Sequence, residues 1–242
     1  MSKRLKFFLS HLLVSSAIAL LIVLCVFFIW YPTPLAKAVG VTHIFFMLLV
    51  IDVILGPVLG FIVYKEGKKT LKMDLAIIII VQIVALMYGL YNITQARPVW
   101  LVQTGDRFEL VRNNDINSDR NIKSDYKAPS WFTPQFVAAV SGKTVEEQNK
   151  YLFEELETGI SASYRPERYT ALKNEKDRLI KGAQELSILN KFNKEEEVNN
   201  ILIQYPQANA WLPLSAVDTD MVVLINKENA EVIKIVDLRP WN

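Results

Sequence analysis

The chain has 242 residues, 51% of them hydrophobic, and 27 Lys and Arg against 25 Asp and Glu give a formal net charge of +2. The apolar share is too high for an ordinary soluble protein of this length, and beyond the apolar runs the basic residues are interleaved with Asp and Glu, with no long basic patch for nucleic acid. With 2 His and 1 Cys there is almost no material for hydrolytic triads, zinc sites or a disulfide framework.

The hydrophobic excess is concentrated near the start. Phe7 to Trp30, Val39 to Tyr64 and Leu75 to Ile93 are each long enough to cross a hydrocarbon core of roughly 30 Å, which takes about 20 apolar residues. Lys3, Arg4 and Lys6 precede the first run, Lys37 alone marks the first connection, and Lys65, Lys68, Lys69 and Lys72 crowd the second. By the positive-inside rule this pattern predicts a cytoplasmic N-terminus and export of everything beyond Ile93. A signal peptide cleaved near Ala36-Lys37-Ala38 is the competing reading, disfavoured by the length of the first apolar run.

Polar residues inside the runs stand out. Asp52 falls near the middle of the second, where an ionised side chain costs about 2.5 to 3.5 kcal/mol even on insertion scales. Counting residues along ideal helices puts Ser16 and Tyr88 at the same depth, so an internal hydrogen bond to one of them is the plain structural reading. Gly56 and Gly60 form a small-xxx-small pair that lets another helix come close, and Pro57 between them predicts a bend. Gln82 and His11 lie one to two turns above the cytoplasmic boundary; an interhelical hydrogen bond would explain Gln82, and snorkelling would explain His11. His43 lies near the outer boundary.

Beyond the runs, Val99–Val102 and Arg107–Val111 flank Gln103-Thr104-Gly105-Asp106 and predict a β-hairpin. The polar stretch 113–126 reads as a surface loop. Thr144 with Glu147 makes a capping box for a helix carrying Val145, Leu152 and Leu156 on one face. Further helices are expected over 174–190, with Leu179, Ala183 and Leu186 on a face, and over 194–205. Met221–Ile225 and Glu231–Val236 predict a second hairpin, and Trp211–Leu214 an edge strand on account of Pro213. The expected architecture is three transmembrane α-helices (1–95), then an α+β periplasmic domain (96–242) whose antiparallel sheet is built from two β-hairpins.

Both histidines, His11 and His43, lie in the apolar runs, and no phosphate loop or dinucleotide fingerprint appears. The expectation is therefore no enzyme activity, no catalytic residues, no metal, no cofactor and no nucleic acid, with membrane lipid as a contact of the lysine-rich loop. At the membrane exit, Arg97 is expected to anchor the third helix at phosphates while Pro98 stops it. Arg107 is expected to meet a carboxylate across the sheet, and Arg239 and Trp241 to dock the C-terminus on the first hairpin or to bind a partner.

An ordered set of residues resembles a known family: Asp52 with Gly56-Pro57, Gly67-Lys68-Lys69 with Leu71 and Asp74-Leu75, Gln82, Ala85-Leu86, Tyr88-Gly89, Ala96-Arg97-Pro98-Val99, Asp106-Arg107-Phe108 and Asp237-Leu238-Arg239-Pro240-Trp241. The set is similar to the type IV pilin accessory proteins of the TfpX/TfpZ kind, multi-pass proteins of the Gram-negative bacterial inner membrane. It departs from them at Gly67, preceded by Glu66 where many relatives have proline. The resemblance implies a chaperone-like protein that binds the type IV major pilin, supports its stability, presentation or assembly, and meets other pilus assembly proteins. Pilins have an apolar N-terminal helix with a glutamate about one turn into the membrane. Counting depth along the spans then puts Gln82 and His11 near the level of that glutamate. The expectation is that the pilin helix lies against the second and third spans around Asp52, Gly56 and Gly60, with Gln82 or His11 satisfying the glutamate and the exported domain meeting the pilin head. A membrane-anchored periplasmic sensor is the alternative, weakened by the lack of a cytoplasmic output domain.

Overall fold

The computed structural model describes residues 1–116, 125–126, 128–142 and 144–242. Two units arise from the way the chain packs: Met1–Ala36 with Gly40–Ala96, and Lys37–Val39 with Arg97–Asn242.

In the first unit, α1 (Lys3–Cys25) starts where the Ser2 hydroxyl accepts from the Leu5 N–H, and it runs into a π turn at Val26–Trp30. A short α2 (Leu35–Val39), whose last three residues belong to the second unit, leads to Gly40, whose φ of +73° breaks the helix and delays the second rod to Val41. That rod is α3 (Val41–Val50), a π turn (Ile51–Leu55) and α4 (Gly56–Val63); α5 (Leu71–Ala96) is the third. Lys3–Trp30, Val41–Val63 and Leu71–Ala96 are long and apolar enough to cross a membrane, the pattern of a multi-pass protein.

The middle rod carries the packing, with α4 against both α1 and α5. Near the lysine-rich loop, Phe8 meets Phe61 at 5.5 Å and the Arg4 guanidinium donates to the Phe61 carbonyl at 2.6 Å. At the other end the Tyr31 hydroxyl donates to the Ile93 carbonyl at 2.7 Å. Between them, Leu48 fills the space a Cβ on Gly89 would occupy.

The second unit is built on one mixed, curled sheet. Its strands are β1 (Pro98–Thr104), β2 (Arg107–Arg112), β3 (Gln135–Ala139), β4 (Tyr169–Ala171), β5 (Gln184–Glu185), β6 (Ala210–Ser215), β7 (Met221–Asn226) and β8 (Glu231–Val236). They run in the order β4-β3-β1-β2-β6-β7-β8, with β5 paired to β6 off that path. The two expected hairpins form, β1 with β2 and β7 with β8. Gly105 takes the left-handed conformation at the first turn, φ +57°. The sheet is not purely antiparallel, however, because β1 pairs β3 and β2 pairs β6 in parallel.

The second correction concerns β6, which is interior rather than an edge. Its side away from β7 is shared, with β5 at Ala210 and Trp211 and β2 at Leu214 and Ser215. Pro213 falls in the gap between these ladders, where a missing N–H costs no pairing.

The helices differ in part as well. The one expected over 174–190 is only α7 (Lys176–Gly182), after which Ala183 is extended and Leu186–Lys191 forms a 3-10 turn. The helix following Thr144, α6 (Val145–Thr158), does begin with the Thr144 hydroxyl accepting from the Glu147 N–H at 3.2 Å. Its apolar residues Val145, Leu152, Phe153 and Leu156 are exposed rather than packed in a core. The last helix, α8 (Glu195–Gln204), forms where expected and stops ahead of Pro206. Of the loop expected over 113–126, residues 117–124 lie outside the described residues, and Asn113–Asp115 is a 3-10 turn.

Among the described residues, apolar clusters form around Trp100, Val137 and Tyr169 and around Leu189, Trp211 and Leu238. Burial pushes the Tyr169 phenol far above its ordinary value, and its hydroxyl donates to the Ser163 carbonyl. Arg178 on α7 ties the β1–β3 junction: its guanidinium donates to the Gln103 carbonyl (3.0 Å), the Gln103 side-chain oxygen (3.1 Å) and the Ala139 carbonyl (2.6 Å). Arg178→Met strands acceptors around the fully buried Gln103 and should cost on the order of 3 kcal/mol in denaturant unfolding. Arg178→Lys should recover only part of this, since one ammonium cannot span both strands.

Candidate functional site

The polar residues of the membrane-spanning helices meet at Gln82. Its side-chain Nε2 donates to the Asp52 carbonyl at 2.6 Å and lies 3.3 Å from the Ser15 hydroxyl. Its Oε1 is 3.1 Å from His11 Nε2, so the imidazole donates through that nitrogen. One side chain on the third span thus binds the first span twice and the second once.

The local cause is Pro57. Asp52 lies in the π turn, where each carbonyl looks five residues ahead for its donor, and five residues ahead of Asp52 is a proline without an N–H. Gln82 supplies the missing donor. The sequence suggests a bend at Pro57; the structure widens a turn there and hands the stranded carbonyl to a neighbouring span.

The glycines make the approach possible. A Cβ at Gly56 would lie 2.1 Å from Gln82 Oε1, and one at Gly60 would lie 2.8 Å from a ring carbon of Phe7 and 3.5 Å from His11 Nδ1. The small-xxx-small pair therefore seats the protein's own first and third spans. Asp52, Gly56, Gly60, Gln82 and His11, singled out separately in the sequence, form one continuous cluster.

Two atoms of that cluster are buried without a hydrogen-bond partner, His11 Nδ1 and Asp52 Oδ2. The expected partners of Asp52 do not reach it. Tyr88 is 70% exposed, and it is Ser15, not Ser16, that turns inward. The signal for Ser15 was present: it lies four residues after His11, hence on the same helix face.

Asp52 also lines the floor of an apolar groove of about 330 Å³ between the first and third spans. Val14, Ile18 and Ile22 form one wall and Ile79, Ile83 and Leu86 the other, with His11 and Gln82 at one end. An apolar helix carrying a polar group would suit such a groove, apolar on its walls and polar at its base.

The remaining residues of interest belong to the second unit. Arg97 is only 3% exposed; it donates to the Ser130 carbonyl at 2.8 Å and lies 5.2 Å from the Trp131 ring. These contacts make it a clamp on the Ser130–Phe132 turn within this unit. Pro98 opens β1. Arg107 pairs with the adjacent Asp106 at 3.3 Å rather than across the sheet, and its guanidinium lies 5.7 Å from the Trp241 ring. Trp241 donates to Asp220 at 2.8 Å, and Arg239 binds the Asp220 carbonyl and Asp237. The C-terminus is thus fastened to the β6–β7 turn as well as lying against the first hairpin.

Residues 1–40 match the family model described as fimbrial assembly protein FimB. The chain is 32% identical over 181 residues to the fimbrial assembly protein of serogroup I from Dichelobacter nodosus, covering 73% of this chain and 70% of that protein. The serogroup E1 protein of the same organism gives the same identity and coverage. The protein of serogroups C1 and C2 is 39% identical over 111 residues, 45% of this chain and 85% of that protein. No solved structure matches.

Proposed function

The chain belongs to the fimbrial assembly protein FimB family, and from that membership we propose that it is a non-enzymatic membrane accessory that receives the type IV pilin and supports its assembly into pili. The observation that carries the binding step is Asp52, which lines the groove between the first and third spans and whose Oδ2 is buried without a hydrogen-bond partner. In this reading the apolar pilin helix lies in the groove. Its glutamate sits at the level of His11, and the remaining polar contact falls to Asp52.

The lysine pattern supports a cytoplasmic N-terminus and a periplasmic sheet unit, which would place that unit beside the pilin head. Since Gln82 is fully engaged inside the protein, His11 and Asp52 are the polar residues left for the partner.

A photocrosslinking amino acid at Val14, Ile18 or Ile83 should trap pilin in the membrane, and one at Ile62 or Ile80, which lie outside the groove, should not. Deletion of the gene should remove surface pili. Crosslinks from Ile62 and Ile80 alone would refute the groove, and normal piliation in the deletion strain would refute the role. The sheet unit produced without its spans should retain little pilin binding, read by co-purification against the full chain.

A further inference from the structure

The turn at Ser130–Phe132 exposes two large aromatic side chains, Trp131 at 64% and Phe132 at 67%. Its shape is set from within: the Ser130 hydroxyl accepts from the Phe132 N–H at 3.1 Å, and the Arg97 guanidinium holds the Ser130 carbonyl and sits against the Trp131 ring. Pro129 and Pro134 bracket the turn. Arg97 thus fixes an aromatic pair that the protein core leaves outside.

Arg97 also fixes where the pair must be. The apolar part of the third span ends at Ile93, and α5 ends at Ala96. At about 1.5 Å per residue Arg97 lies roughly 6 Å past the end of the hydrocarbon, which is headgroup depth. Trp131 lies 5.2 Å from the Arg97 guanidinium. Trp and Tyr are enriched at this depth because their rings combine an apolar body with a polar edge.

We propose that the Ser130–Phe132 turn is an interfacial anchor, with Trp131 and Phe132 inserted among the lipid headgroups of the leaflet through which the third span leaves the membrane. The occupant is lipid, not protein, because the clamp comes from the residue next to the span and the apolar surface is two aromatic rings, not an extended face. The anchor attaches the sheet unit to the bilayer at a point beyond its covalent links to the helical unit, at Ala36–Lys37, Val39–Gly40 and Ala96–Arg97.

The test uses the full chain in nanodiscs of phosphatidylcholine brominated near the headgroup end of its acyl chains. The emission lost on Trp131→Phe, taken as wild type minus variant, should be mostly quenched by brominated lipid and shielded from acrylamide in the buffer. As a second measurement, a nitroxide on Phe132→Cys in a Cys25→Ser background should collide with dissolved oxygen several-fold more than with an aqueous nickel chelate, relative to free label in buffer. Difference emission quenched by acrylamide and not by brominated lipid, or a nitroxide that behaves as free label in buffer, overturns the anchor.

Discussion

Asp52→Leu should leave the membrane unit as stable as wild type or more so, while reducing surface pili more than tenfold. The reason is that Asp52 Oδ2 is buried with no hydrogen-bond partner, and an unmet buried polar group costs about 1 to 3 kcal/mol. The Asp52 carbonyl, not its carboxyl, accepts from Gln82, so the substitution keeps the bond that ties the spans together. The larger leucine side chain has room in the adjoining groove. Tenfold is about 1.4 kcal/mol of binding, the size of one good polar contact. Thermal unfolding in detergent and a count of surface pili measure the two halves separately. Normal piliation with raised stability would mean that the groove floor recognises nothing, whereas a fall in both would return Asp52 to a structural role.

Gln82→Ala should do the opposite and destabilise the helical unit on the order of 3 kcal/mol. It strands the Asp52 carbonyl, which Pro57 cannot serve, and leaves His11 Nε2 without its acceptor. Gly56→Ala should mimic it, because the new Cβ falls 2.1 Å from Gln82 Oε1 and drives that side chain out of its bonds. The two changes share one mechanism, so they are not additive. In a Gln82→Ala background the room is already made, and Gly56→Ala should then cost little. Denaturant or thermal unfolding of the four proteins in detergent checks this; additive losses would mean that Gly56 acts elsewhere. Gln82→Ala is also a poor probe of pilin binding, since it disturbs the walls of the groove along with its end.

Much of this was legible in the residues. The three spans follow from length and hydropathy, and both hairpins from alternation and turn chemistry, because these are local signals. The cluster was half legible: Asp52, Gly56, Gly60, Gln82 and His11 are conspicuous singly, but that they bond to each other depends on helix rotation, which a depth count does not contain. Such counting therefore chose Ser16 and Tyr88, and the i, i+4 relation of His11 to Ser15 would have served better.

The parallel joins β1–β3 and β2–β6 were not legible, since they connect strands far apart in sequence whose partners no local pattern names. Pro213 misled for a related reason: a gap between two neighbouring ladders can shelter a proline as well as a sheet edge can. Ala183 shows a third limit, as its place on an apolar helical face was real in the pattern, but pairing of Gln184 and Glu185 with β6 ended the helix first. The family model matches residues 1–40, whereas the motifs that carry the family resemblance in the sequence lie from Asp52 onward.

The strand order has a consequence in time. Synthesis delivers the β1–β2 hairpin first, directly behind the third span, yet the free side of β2 must wait for β6 until everything from Asn113 to Asn209 has been made. During that interval a half-finished chain displays an unpaired strand close to the bilayer, open to any extended segment nearby. The arrival of Leu214 and Ser215 closes it, so the protein would be most vulnerable to wrong pairing, and most in need of a protected folding environment, until β6 has appeared.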